Sequence, residues 1–296
     1  MNVPAAGKFR DPSLVDFGAD DAGRGRRLEL LGGVLVDRPL AQPGLPGRRT
    51  PHWADAGAIF RAGPGRGGAW TFPTPLPDPW RVAVPLATTS LSLEIRPAPS
   101  GQIGVFLEQV EQWEWLARET PAAATILSLF AHSGAATLAM AAAGAHVVHV
   151  DASRQAIALA RRNAEASGLS AAPIRWVCED AVTFVARELR RGGRYDGVVL
   201  DPPSWGHGPK GQAFAIDRDL APLLSDLENL VDTATGRGPA GPVLLTCHSP
   251  RWHHRRLRDT LAAAFPQGRY DSGLLTCTDA AGRTLALGDF ARRHPG

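Results

Sequence analysis

At 296 residues, 44% hydrophobic and 21% charged, the chain has the size and composition of one large or two smaller globular domains. Its longest apolar runs are roughly ten residues against the roughly 20 that span a bilayer, and the opening MNVPAAGKFRDPS has no apolar leader core. A cytoplasmic protein with no membrane partner is expected, and a net charge of +3 with a pI near 9.0 permits contact with nucleic acid without requiring it.

The first hundred residues are broken by Gly and Pro, as in DRPLAQPGLPGRRTP and TFPTPLPDPW. Short runs at Leu28–Leu31, Val34–Asp37, Arg81–Leu86 and Leu91–Arg96 lie between the breakers and predict a small β-rich lobe. The RPAPSG stretch marks a boundary, so residues 1–97 are expected to form this lobe and residues 98–296 a second domain.

From Ala122 onward strands and helices alternate. Thr125–Phe130 predicts a buried strand, Ala135–Ala143 a helix closed by Gly144, and His146–Asp151 a second strand. Ser153 is placed to cap a helix that runs to Ser167 and ends at Gly168. Further strands follow at Ile174–Cys178, Asp196–Asp201 and Val243–Cys247, with helices at Ala181–Arg191, Ile216–Val231 and His253–Ala264. Tyr270–Leu287 could supply two more strands. Repeated βα units predict an α/β fold with a doubly wound, mostly parallel, Rossmann-like sheet. Such sheets bind ligands at the carboxyl ends of their strands.

Acids stand at those ends. HVVHVDAS closes on Asp151, IRWVCEDA on Glu179-Asp180, and YDGVVLDPP on Asp201. The turn LFAHSGAAT carries one glycine, Gly134, and lacks the GxGxxG with which backbone amides cradle a pyrophosphate. A nucleoside cofactor without phosphate fits better. S-adenosylmethionine needs close backbone approach at one glycine, an acid for its ribose hydroxyls and a polar partner for its adenine. Gly134, Asp151 and Asp180 stand where those three tasks fall, and Phe130, Ser133, Ala152 and Ala181 complete the expected cofactor set with Asp201. The three cysteines, Cys178, Cys247 and Cys277, occur with no CxxC or Cys/His cluster, and no metal is expected.

LSLFAHSGAATLAMAAAGAHVVHVDASRQAIALARRNAEASGL is similar to the first motifs of class I methyltransferases. RYDGVVLDPPSWGHGPKG resembles the fourth motif of a narrower group, the bacterial 23S rRNA methyltransferase-like family that includes cytosine-C5 enzymes. There, as here with Ser204, a residue separates Asp-Pro-Pro from the aromatic. VDFGADDAGRGRRLELLGGVLVDRP resembles that group's N-terminal lobe, and GVFLEQVEQWEW its Gly-x-Phe-x-x-Gln segment. His132-Ser133 stands where the group usually has Tyr-Thr.

The resemblance implies methyl transfer from S-adenosylmethionine to a base in large-subunit rRNA. Asp201 and Pro202 would line the transfer site and Trp205 would stack on a planar substrate. Lys210, one of two lysines in the chain, stands in a glycine-proline loop, where its own setting suggests a contact to a substrate phosphate or carboxylate or an anchor for the loop. The Thr-Cys pair in LLTCHSP resembles the placement of the nucleophile in cytosine-C5 enzymes, making Cys247 a candidate beside His248. A small buried strand-end residue is the plainer reading of Cys247. Two alternatives stay open: methyl transfer to a small metabolite or peptide side chain, and an RNA-binding protein that keeps the fold without catalysis. The basic run Arg251–Arg258 fits either a nucleic-acid contact or a solvated helix face.

Overall fold

The computed structural model describes residues 9–63, 67–207, 213–231 and 239–295. Its contacts divide the chain into two compact units. One takes in Met1–Val84, Ser92–Leu107 and Thr276–Ala286, and the other Pro85–Leu91, Glu108–Leu275 and Leu287–Gly296.

The first unit is built on a five-stranded sheet of β1 (Ser13–Ala19), β2 (Gly25–Leu31), β3 (Val34–Pro39), β4 (Ala58–Ala62) and β5 (Gly68–Thr71), in that spatial order. The β2–β3 hairpin turns on Gly32 and Gly33, both with positive φ, and the Asp11 carboxylate accepts from both of their amides. Val15, Leu28, Leu30, Leu35 and Ala56 form its core. The same sheet buries charge: Glu29 lies between Arg27 and Arg38. Burial alone would raise the pKa of Glu29, yet the two guanidiniums hold it below the ordinary carboxylate value. Residues 276–286 belong to this unit because Arg283 pairs there with both Asp16 and Asp279. Two further strands, β6 (Arg81–Pro85) and β7 (Ser90–Glu94), pair with each other.

The second unit contains the alternation seen in the sequence. Helix α1 (Val110–Glu119) leads into β8 (Thr125–Leu129), α2 (Ala135–Ala142), β9 (His146–Asp151), α3 (Arg154–Ala166), β10 (Ile174–Cys178), α4 (Ala181–Arg191) and β11 (Gly197–Leu200). A short pair follows, β12 (Trp205–His207) and β13 (Ala213–Ala215), then α5 (Ile216–Glu228), β14 (Val243–Cys247), α6 (His254–Ala264), β15 (Tyr270–Thr278) and β16 (Thr284–Arg293), the last two strands having their residues between Thr276 and Ala286 in the first unit. The sheet order is β10-β9-β8-β11-β14-β16-β15. Its first five strands are parallel and β16 is antiparallel to β14. The order reverses at β8, the switch point where open α/β sheets leave a crevice.

Alternate residues of these strands face opposite layers, as the pleat requires. Leu127, Leu129, Val198, Leu200 and Leu245 pack with Phe184 of α4, Leu220 and Leu224 of α5 and Leu257 of α6. Ile126, Val147, Val199 and Leu244 pack with Trp115 and Leu116 of α1 and Met140 of α2. Both faces are covered, so the strands read as near-continuous apolar runs. Among the described residues no helix is long and apolar enough to cross a membrane.

Candidate active site

Strand register brings the predicted acids to one edge. Leu129 pairs with Val150 and Leu200, Cys178 pairs with Asp151, and Leu200 pairs with Leu245. Phe130, Glu179 and Asp201 therefore follow their strands at neighbouring carboxyl ends, beside Asp151, the last residue of β9.

The turn between β8 and α2 is the most constrained part of this edge. Phe130 and His132 have φ of 53° and 45°, the left-handed region that non-glycine residues seldom occupy, and Gly134 has φ of 85° as the N-cap of α2. A Cβ at Gly134 would stand 3.0 Å from the Cβ of Ala160, so glycine lets the turn lie close on α3. Several bonds hold the strain. Asp151 Oδ2 accepts from the His132 amide at 2.8 Å, and Asn163 donates to the Ser133 carbonyl at 2.9 Å. The Phe130 ring packs on Phe214. Beneath the turn, His149 is fully buried beside Thr137, its pKa pushed down to about 3 by burial and by neighbouring His132.

Asp151 uses its other oxygen to accept from the Ser153 amide at 2.8 Å. Each carboxylate oxygen carries two lone pairs, so both keep capacity for a second donor. Ala152 follows in the β9–α3 loop, where its carbonyl faces the Cys178 thiol. Asp180 is the N-cap of α4 and accepts from both the amide and hydroxyl of Thr183, and Ala181 opens that helix as a buried residue. Glu179 pairs with Arg187.

At the end of β11, Pro202 is buried and Trp205 is 52% exposed. Ser204 and Ser249 join the β11 and β14 loops through their hydroxyls. Asp201 Oδ2 accepts from Gln109 Nε2 at 2.9 Å, while its Oδ1 is buried without a partner among the described residues. Lys210 lies outside the described residues. Cys247 is fully buried among the residues that pack on α5 and α6, and its sulfur accepts from the Ser249 amide. Burial pushes its thiol pKa up, and nearby Asp201 and Asp289 act in the same direction. This is the setting of a small strand-end residue packed in the core.

Gln109 is the glutamine of the Gly-x-Phe-x-x-Gln segment, which carries no assigned task in the sequence, and Glu108 is not singled out there. Gln109 reaches Asp201 from 92 positions away, and Glu108 is buried beside His248. The one signal that points to them is the Gly104–Trp115 segment, whose resemblance covers both residues without giving either a task.

The donor set suits a cationic nucleoside without phosphate. Asp151, Asp180, Asp201 and Glu108 make the edge acidic, which favours a sulfonium and an ammonium group. Asp151 keeps acceptor capacity for a ribose diol, and the buried Asp201 oxygen has room in its bonding for a donor. Among the described residues no cluster of His, Cys, Asp and Glu could hold a metal ion.

A doubly wound sheet with acids at successive strand ends and one glycine at the first turn defines a class I methyltransferase architecture. The family model for S-adenosylmethionine-dependent methyltransferases matches residues 78–249, and the chain belongs to that family. A crystal structure of the SAM-dependent methyltransferase from Agrobacterium tumefaciens is similar, at 33% identity over 97% of this chain and 91% of that one, with a TM-score of 0.84. Ribosomal RNA large subunit methyltransferase I from Aeromonas salmonicida is 30% identical over 103 residues, which is 34% of this chain. Methyltransferase K of the same subunit from Neisseria meningitidis is 30% identical over 117 residues, or 39% of this chain. The matched segments span 26% and 31% of those two relatives' lengths.

Proposed function

We propose that this protein transfers the methyl group of S-adenosylmethionine to a base of large-subunit ribosomal RNA. The carrying observation is the end of β11, where a buried Asp201 oxygen without a partner among the described residues stands a few residues before the exposed Trp205. The similarity to ribosomal RNA large subunit methyltransferases supports the RNA class. Residues 98–296 would carry the reaction, and the β-rich residues 1–97 would form an accessory lobe.

S-adenosylmethionine supplies an electrophilic methyl on a sulfonium. The chain's own residues must hold the nucleoside, orient the acceptor and manage one proton. Asp151 holds the ribose hydroxyls through the acceptor capacity left by its two amide bonds, and Asp180 faces the adenine. Phe130, Ser133, Gly134, Ala152 and Ala181 shape the backbone around that nucleoside. Asp201 and the Pro202 carbonyl orient the acceptor group, and Trp205 stacks on the base. Lys210 contacts a phosphate of the substrate.

Transfer goes directly to an atom that is already nucleophilic, such as a ring or exocyclic nitrogen. Addition to cytosine C6 would require the Cys247 sulfur to reach the base, and Cys247 is fully buried among the residues that pack on α5 and α6. The test is incubation with methyl-labelled S-adenosylmethionine and, separately, ribosomal RNA and a small-molecule extract. Label in the RNA is expected, and its binding should weaken steeply with salt as phosphate contacts release counterions. Label only in a small molecule would contradict the RNA reading.

A further inference from the structure

A second polar cluster, centred on His248, lies at the same edge. His248 follows Cys247 at the end of β14, and its side chain is 34% exposed. Its Nδ1 lies 2.9 Å from the Leu287 carbonyl oxygen. A carbonyl can only accept, so Nδ1 carries the hydrogen and the neutral ring keeps its lone pair on Nε2. Gln109 agrees with this assignment. Its amide nitrogen gives one hydrogen to Asp201 Oδ2 at 2.9 Å and faces His248 Nε2 at 3.4 Å with the other. The basic nitrogen is thereby linked through a single amide to the acid of Asp-Pro-Pro.

Two more features fix the ring. Glu108 Oε1 is 4.0 Å from Nδ1, and Glu108 Oε2 is buried without a partner among the described residues. A buried carboxylate on the Nδ1 side stabilises the imidazolium that forms when Nε2 takes a proton. Gly288 on β16 is the second. A Cβ there would stand 2.9 Å from His248 Nδ1 and 2.8 Å from the Cys247 carbonyl oxygen, so any side chain would push the ring from its seat.

We infer that His248 is the general base of the methyl transfer, and that Gln109, Glu108 and Gly288 position it. The inference rests on the methyltransferase reading above. The acceptor nitrogen's lone pair forms the new N–CH3 bond, and the S–CH3 bond breaks with its electron pair returning to sulfur. The proton of the acceptor N–H passes to His248 Nε2, whose bond from Gln109 yields to it. Groups that face His248 include Glu108 and Gln109 on the turn before α1 and the Leu287 carbonyl on β16, with Asp201 reached through Gln109 and Asp289 paired with the preceding Cys247.

The experiment measures single-turnover methyl transfer to ribosomal RNA by wild-type protein, His248→Ala, Gln109→Ala and Gly288→Ala across pH. It is joined to 15N NMR of the His248 ring in the wild type. The ring should carry its hydrogen on Nδ1. Wild-type rate should fall as pH drops, because the base must be unprotonated. His248→Ala should lose roughly 10²-fold in rate and that pH dependence, keep its affinity for S-adenosylmethionine, and recover rate with added imidazole. Gln109→Ala and Gly288→Ala should lower kcat more than they change KM. Full rate with an unchanged pH profile in His248→Ala would overturn the inference, as would a hydrogen on Nε2. No transfer by the wild type to either RNA or small molecules would overturn the functional reading and this inference with it.

Discussion

The turn after β8 and the loops after β11 and β14 sit at one sheet edge but are built differently. The first is closed on itself. Its left-handed residues are held by Asp151 and Asn163, and its glycine lies against α3. The second is left open, with an oxygen on Asp201 that has no partner among the described residues and a half-exposed Trp205. A cofactor common to a whole family can be met by a rigid, pre-bonded seat. Substrate contacts fall disproportionately on loops held by a rigid scaffold. The contrast predicts that changes at the closed turn act on affinity and stability, and changes at the open loops act on rate.

The largest effect should come from the open side. Asp201→Ala should reduce single-turnover methyl transfer by roughly 10²-fold through loss of orientation, with a far smaller change in cofactor affinity. Equal losses in rate and affinity would erase the distinction between the two ends. Next is the closed turn. Gly134→Val adds a side chain in the left-handed region against Ala160, and should cost about 1–2 kcal/mol of stability with weaker cofactor binding. Denaturant unfolding and calorimetry read the two quantities, and an unchanged midpoint would show that the turn relaxes.

His149 gives a pH signature of the same seat. The folded chain keeps it neutral down to about pH 3, whereas it titrates near 6.5 when unfolded. Below pH 6.5 the unfolded chain binds the proton first, so this contribution is complete above that pH and is lost as pH falls toward 3. Between pH 6.5 and 5, wild type should lose about 2 kcal/mol more stability than His149→Gln. Parallel stability–pH curves would contradict a buried neutral imidazole. Smallest is Cys247→Ala, which should cost about 1 kcal/mol of packing and leave methyl transfer intact. RNA containing 5-fluorocytosine should form no covalent adduct with the wild type. An adduct, or an inactive Cys247→Ala that folds, would restore the thiol as nucleophile.

The parallel core is legible in the sequence because strands covered on both faces must be apolar throughout. Thr125–Leu129, His146–Asp151 and Val243–Cys247 show this, and Ser153, Gly168 and Gly192 punctuate the helices between them. The first unit hides more. β1 carries Asp16 at its centre, and that acid is buried because Arg49, Thr50, Trp53 and Arg283 all donate to it. Short-range pattern gives no sign of partners up to 267 positions distant. Helix α1 is concealed in a similar way, since its buried face includes Gln112 beside two tryptophans.

In the site, the strand-end acids are visible as residue types at regular spacing, and Gly134 as the lone glycine of its turn. The left-handed geometry of Phe130 and His132 is invisible, because neither residue type announces positive φ. The Gln109–Asp201–His248 linkage is likewise a product of tertiary folding. Burial of Cys247 could be weighed only once α5 and α6 were seen to cover it.

Calorimetric titration of S-adenosylmethionine into wild-type protein and Asp151→Ala tests the central claim most directly, because it asks whether the closed turn is the cofactor's seat. One molecule bound per wild-type chain is expected, with affinity weakened by about 1–3 kcal/mol in the variant through loss of a charge-assisted pair. Equal affinity in the two proteins, or no binding to the wild type, would contradict it.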